Sequence, residues 1–309
     1  MRPLGWSARR QGEVRGWIAA GWGALGVLAV LVLWELYKFA GPSEGFVVGA
    51  VPGESGSGVM LLPRTHDRAM PHVWDMVGRL FAPTSGGDTP PLWVSVAGAA
   101  LLTLGIAAVG WLIGVAVGAV LGLVMQRWRL LEWGLLPWIV VSQIVPLIAF
   151  APVVNAIGNQ IDRGGGTWPQ WLSVAVIASY LAFFPVAVGV LRGLASPDQI
   201  HLDLMNSYAA GYWATLFHLR LPAAVPHLLP ALRLAAANAV LGAVVAEVSI
   251  GMRGGIGRML IQLAGQASSD PAAPWGPTFG SIALGLIAAG SVALISLGLA
   301  NYRRGEATA

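Results

Sequence analysis

The sequence predicts an all-α membrane protein with six transmembrane helices and both termini on the cytoplasmic side. Three observations carry that expectation. Charged residues are only 10% of the 309, where a soluble domain carries roughly 25%. The residues AVILMFWYC make up 56%, and 41 glycines add to them. Apolar runs recur at or above the ~20 residues that cross a hydrocarbon core as a helix. A mean hydropathy of +0.70 agrees. So apolar a chain is neither disordered nor collagen-like, and with no cysteine it has no disulfide framework, thiol chemistry, Cys-ligated zinc or iron–sulfur site.

The first apolar run, Trp17–Tyr37, predicts a retained helix over 17–38. Arg2, Arg9, Arg10 and Arg15 place the 1–16 tail on the cytoplasmic side. Residues 39–91 change character, with Gly-Glu-Ser-Gly-Ser-Gly at 53–58 and five acids, and read as a long extracytoplasmic loop. Inside it Val73, Trp74, Val77, Leu80 and Phe81 share one helical face. That pattern predicts a short amphipathic helix, lying in the membrane interface or packed on the protein.

Residues 92–301 are expected to form a five-helix core. Leu92–Met125 is one long tilted span. Its Gly110, Gly114, Gly118 and Gly122 recur every four residues and offer a flat ridge to another helix. After Arg127 and Arg129 the third span is read over Trp133–Gly158, with Pro137, Pro146, Pro152, Gln143 and Asn155 inside it. Prolines and amides at membrane depth need internal partners, so this span faces protein or a water-filled path. An outer turn is expected at Asn159–Pro169, then a fourth span over Pro169–Leu191, broken by Pro185.

Residues 192–222 are cytoplasmic by parity. The fifth span, Ala223–Val248, carries Asn238 and Glu247. A Gly-rich outer segment at 251–275 holds a short helix near 256–266, and the sixth span is Thr278–Leu299 before a 302–309 cytoplasmic tail. Ten arginines fall on expected inner segments and seven cationic residues on the longer outer ones, in keeping with this topology.

Enzyme chemistry is missing. The only lysine, Lys38, has no glycine cradle, so there is no nucleotide-binding P-loop. The five histidines form no H-E-x-x-H, no metal set is predicted, and no basic stripe with interleaved aromatics points to nucleic acid. Glu247, the one acid well inside a span, is either a functional carboxylate or a helix-end acid paired with Arg253 or Arg258.

Segment 203–226 is the most specific. Leu204, Tyr208, Trp213, Leu216 and Phe217 are bulky, Ala209, Ala210 and Gly211 allow a bend between two short helices, and Pro222 is expected to stop the element and start the next span. The segment resembles the EAA loop of permeases of binding-protein-dependent ABC importers, in the group that takes up sulfonates, taurine, nitrate and thiamine precursors. Counting back from Leu221-Pro222 puts Asp203 at the Glu position and Ala209 at the loop glycine. Gln143-Ile-Val-Pro146 with Ala149-Phe-Ala-Pro152, and Val244-Val-Ala-Glu247 with Gly254-Gly-Ile-Gly257, resemble further stretches of that family in order.

The resemblance implies a type I importer permease of the bacterial cytoplasmic membrane, whose coupling helix would be about 203–217. Asp203, Met205, Tyr208, Ala209, Ala210, Gly211, Trp213, Phe217 and Pro222 would meet the ATPase. Gln143, Pro146, Phe150, Asn155, Tyr180, Phe184, Asn238 and Glu247 would line the translocation path. It implies two ATPase subunits, a second permease copy or paralogue, an extracytoplasmic solute-binding protein and membrane lipid as partners. The chain itself would need no cofactor, ATP and Mg belonging to the ATPase. The Leu-Met-Asn-Ser-Tyr-Ala-Ala variant of the loop resembles the branch for pyrimidine or flavin vitamin precursors. The alternative is a stand-alone secondary transporter or channel using Glu247.

Overall fold

The computed structural model describes residues 5–48, 59–84, 89–161 and 168–298, with side chains placed for 21–46, 61–84, 89–161 and 168–294. The expected Gly/Ser stretch at 53–58, most of the Asn159–Pro169 turn and the 302–309 tail lie outside the described residues. The chain divides into two compact units, Met1–Ala82 with Gly265–Ala273, and Pro83–Ala264 with Pro274–Ala309.

The first unit begins with helix α1, Gly5–Ala40, longer than the expected span because Arg9, Arg10 and Arg15 are also helical. Its Leu25, Leu28, Val30 and Leu33 are exposed, as lipid-facing side chains are. The last turns of α1 are tied to segment 63–73. Trp34 Nε1 donates to the Pro71 carbonyl at 3.2 Å. Glu35 accepts from the Val73 N–H and meets His72 Nδ1, both at 2.8 Å. Lys38 Nζ donates to Asp67 at 2.7 Å and to the Met70 carbonyl at 2.5 Å. Strands β1, Phe46–Val48, and β2, Val59–Leu62, form a small antiparallel pair that the all-α expectation did not contain. The amphipathic helix is present as α2, Val73–Phe81. Met76 is its packed residue, whereas Trp74, Val77 and Phe81 stay exposed. Arg79 Nε pairs with Asp270 at 2.5 Å.

The second unit holds α3 (Leu92–Arg127), α4 (Arg129–Ser142), α5 (Leu147–Ile161), α6 (Gln170–Leu194), α7 (Gln199–Ser207), α8 (Tyr212–Thr215), α9 (Leu221–Ile250), α10 (Ile256–Ala264) and α11 (Trp275–Gly298). Its core is the mutual packing of α3, α6 and α9. In lipid no hydrophobic force drives helices together, so close backbone approach carries the packing. The glycine ridge provides it. A Cβ at Gly110 would meet Ala178, at Gly114 Ala182, at Gly118 Val186 and at Gly122 Val190, all on α6. Small residues repeat the device between α6 and α9, where Gly189 faces Ala231, Gly193 faces Ala224 and Gly242 faces Ala178.

Among the described residues five helices are long and apolar enough to cross a membrane, and a bent pair makes up to six. Three sequence expectations are corrected. The third span is not one helix over Trp133–Gly158. Helices α4 and α5 meet at a break over 143–146 and are bent by 103°, because Pro146 cannot continue the ladder. Pro185 does not break the fourth span, since α6 runs through it. Pro222 does not stop its element either. Residues Leu216–Arg220 form one π-helical turn that leads from α8 into α9, so the helix is continuous over Tyr212–Ile250.

Candidate functional site

Segment 199–215, which holds most of the stretch expected from the sequence to couple to an ATPase, folds as two short helices. Helix α7 exposes Ile200 and Leu204 and ends at Tyr208. The Ala210 N–H donates to the Met205 carbonyl at 3.0 Å and the Ala209 N–H to the Asn206 carbonyl at 2.9 Å. This is a Schellman end, whose residue after the cap takes the left-handed conformation. That residue is Ala209, at φ 52°. A side chain is disfavoured there and glycine is not, which gives a physical reason for the glycine of the EAA pattern at this place. Asp203 accepts from Gln199 Nε2 at 3.0 Å on the same helix.

Beyond Gly211 the segment is anchored from below. Tyr212 donates to Gln126 Oε1 at 3.1 Å, and the Arg127 guanidinium lies 4.7 Å from its ring. Leu216 is buried, and Arg220 reaches the Leu194 carbonyl. Tyr208, Trp213 and Phe217 point outward, 76%, 68% and 59% exposed. Three exposed aromatics thus cluster on a braced turn, the kind of side chain that anchors interfaces. Of the two residues that brace it, Arg127 was read from sequence only as marking a cytoplasmic turn, and Gln126 was not singled out. Their sign was their place at the end of an apolar helix.

The residues expected along a path do not form one line. Gln143, Pro146, Phe150 and Tyr180 do gather, around the break between α4 and α5. The Ser142 carbonyl lies four residues before Pro146, which has no N–H to give it. The Val145 N–H reaches that carbonyl at 3.3 Å, and the Tyr180 hydroxyl donates to it as well. Gln143 Nε2 donates to Ser142 Oγ at 3.3 Å. The ring of Phe150 lies 5.4 Å from that of Tyr180, and Phe183 adds a third at 5.9 Å.

Asn238 repeats the logic one helix over. Its Nδ2 donates to the Leu181 carbonyl at 3.3 Å, which Pro185 leaves without its helical donor. Asn155 accepts from Ser173 Oγ at 3.1 Å, and Ser173 accepts from Trp168 Nε1 at 2.7 Å. Phe184 lies apart, in a cavity of about 380 Å³ with Gln126, Glu132 and Arg192.

Glu247 is fully enclosed. Gly251 ends α9 in the left-handed conformation, at φ 73°. The chain then folds back, and Glu247 Oε2 accepts from the Gly257 N–H in the first turn of α10 at 2.9 Å. Its Oε1 lies 2.8 Å from Thr103 Oγ1 of α3, and that hydroxyl also accepts from the Ile256 N–H at 3.0 Å. A carboxylate at a helix N-terminus faces the positive end of the dipole. Gly255 and Gly257 lack side chains where a Cβ would collide with Glu247. The partners of Glu247 are thus Thr103 and a backbone N–H, and not Arg253 or Arg258. Thr103 was missed from sequence, although it is the one hydroxyl between Ser95 and Gln126.

Residues 114–303 match the family described as the binding-protein-dependent transport system inner membrane component. The chain belongs to that family. It is a family of transport permeases, not of enzymes. Among similar proteins is the formylaminopyrimidine transport permease protein ThiX of Halalkalibacterium halodurans, 32% identical over 55% of this chain and 65% of the relative. The riboflavin transport system permease protein RibX of Chloroflexus aurantiacus is 28% identical over 43% of this chain and 46% of the relative. The putative aliphatic sulfonates transport permease protein SsuC of Bacillus subtilis is 27% identical over 50% and 52%. The chain is therefore matched over about half to two thirds of these relatives' lengths.

Proposed function

We propose that this chain is the permease subunit of an ATP-driven ABC importer, taking up a small organic solute delivered by an extracytoplasmic binding protein. The observation that carries the reading is the exposed aromatic knob at 203–217, whose second part, from Tyr212 on, is continuous through the π-turn with the long helix α9. Two ATPase subunits would each clasp a knob, with ATP and Mg bound on them, and the second knob would come from another copy of this chain or a paralogue. Closure of the ATPases would move α9 as a rod, a two-state shift driven by binding energy at one end.

The names of two of the three relatives, ThiX and RibX, support a pyrimidine or flavin-type vitamin precursor as solute, while the third, SsuC, is named for sulfonates. The aromatic group of Phe150, Tyr180 and Phe183 at the broken helix is suited to stack a ring compound. A stand-alone carrier using Glu247 has less support, since both carboxylate oxygens already have partners inside the chain.

Purification of the tagged chain from its native membrane in mild detergent, with mass spectrometry of what accompanies it, tests the reading. A stoichiometric P-loop ATPase is expected. A transport-active chain without one overturns it. Any co-purified binding protein is then screened against pyrimidines, flavins and sulfonates.

A further inference from the structure

We propose that a groove between α3 and the start of α6 is a binding site for an anionic phospholipid. The groove has a volume of about 590 Å³, and Leu102, Gly105 and Val109 line its α3 side. Gln170, Trp171 and Arg253 stand around it. A Cβ at Gly105 would meet nothing within 4 Å, so the cleft is open along the helix. Arg253 is exposed, and its guanidinium has no hydrogen-bond or ion-pair partner among the described residues. No acid is among the lining residues. The site is therefore cationic at one end and apolar along its length.

Depth explains why this combination suits a lipid. Arg127 marks one membrane boundary at the end of α3. A ~30 Å hydrocarbon core takes about 20 residues of helix at 1.5 Å each, slightly more with tilt. The opposite boundary then falls near residue 106. Leu102 and Gly105 lie at headgroup level, Val109 lies inside the core, and Trp171 is the ring type that settles at that interface. Arg253 follows α9 and reaches the same level, since a Cβ on neighbouring Gly254 would lie 3.1 Å from Leu102 Cδ2. A phosphate there meets the cation while an acyl chain follows α3 inward. The inference needs only that the chain spans a bilayer. It stands or falls separately from the pairing with an ATPase.

The test is reconstitution of the full chain into phosphatidylcholine vesicles with a trace of chain-labelled nitroxide phosphatidylglycerol or phosphatidylcholine. Electron paramagnetic resonance then reads the motionally restricted fraction. About a five-fold preference for phosphatidylglycerol is expected from one cation near the surface. Arg253→Gln should remove it, Arg253→Lys should retain it, and Gly105→Trp should empty the groove of both lipids. If the glutamine variant does not fold, loss of the wild-type preference in high salt gives the same reading. Equal restriction of the two lipids in the wild type overturns the proposal. So does a photo-crosslinker at Leu102 that captures a polypeptide instead of lipid in the native membrane.

Discussion

Asn238 donates to the Leu181 carbonyl across 3.3 Å between two helices, and Pro185 is the reason that carbonyl needs a donor. The relationship predicts a coupled pair. Asn238→Leu should destabilise the chain by about 1 kcal/mol, the lower end of the cost of leaving an acceptor unsatisfied, since this carbonyl is only partly buried. In a Pro185→Ala background the helix N–H returns to Leu181 and the same change should cost under about 0.5 kcal/mol. Thermal unfolding of the wild type and the three variants in detergent measures the cycle. Additive effects would show that Asn238 has some other role.

Ala209→Gly should stabilise the coupling segment. A non-glycine residue in the left-handed region costs about 1–2 kcal/mol, while glycine loses roughly 0.5–1 kcal/mol in backbone entropy. The net expectation is a gain of about 0.5 kcal/mol, and Ala209→Val should lose at least about 1 kcal/mol. Hydrogen exchange over 205–211 reads both. A glycine variant that exchanges faster contradicts the left-handed geometry.

The Glu247 network separates charge from hydrogen bonding. In Glu247→Gln the amide oxygen can accept from Gly257, and its NH₂ can donate to Thr103 Oγ1, whose proton turns to the Ala99 carbonyl 3.0 Å away. Little stability should be lost, under about 1 kcal/mol, and uptake should persist. Glu247→Ala leaves those groups unpaired beside a void and should cost about 3 kcal/mol. Uptake abolished in a well-folded glutamine variant would return the carboxylate to a transport role.

The glycines of α3 are not equivalent. Gly114→Ala places a methyl 2.6 Å from Ala182 Cβ and 2.8 Å from the Ser179 carbonyl. It should part α3 from α6 at a cost of about 1–3 kcal/mol. Gly105→Ala meets open space and should be neutral or stabilising by up to about 1 kcal/mol. Melting temperatures of the two single variants decide between this pattern and a uniform glycine effect.

The Lys38 ammonium holds the Asp67 carboxyl below the ordinary aspartate range, through its hydrogen bond and its charge. The stabilisation that follows is present above the unfolded aspartate value of about 3.9 and is lost as pH falls through the depressed folded value. Asp67→Asn removes the charge at every pH. The melting curves of wild type and variant should therefore differ near neutral pH and converge in acid. A constant gap into acid would mean that the contact is not ionic.

What the sequence made legible was whatever a short window contains. The Gly110–Gly122 ridge repeats within one helix and could only face a close neighbour, and the knob carried its own alternation of bulky and small residues. The bend at 143–146 was half visible, in Pro146 and Gln143, but its angle depends on Tyr180 from another helix. Glu247 was ambiguous because its partners lie ten residues ahead in Gly257 and 144 residues behind in Thr103. The pairing of β1 with β2 was hidden because three and four apolar residues are too few to show a period.

The π-turn at Leu216–Arg220 is a matter of phase. A π-turn holds one residue more than an α-turn, and each residue of an α-helix advances the face by about 100°. The wider turn takes up its extra residue within the same full rotation, so that residue adds little net twist. Delete one position within 216–220 and the helix can close as pure α, with Trp213 keeping nearly its azimuth relative to the packed face of Ala235, Ala239 and Ala243. Delete one position from the α-helical stretch between that turn and the packed face instead, and Trp213 swings by about 100°. The π-turn is thus the one place in this rod where chain length and direction are uncoupled.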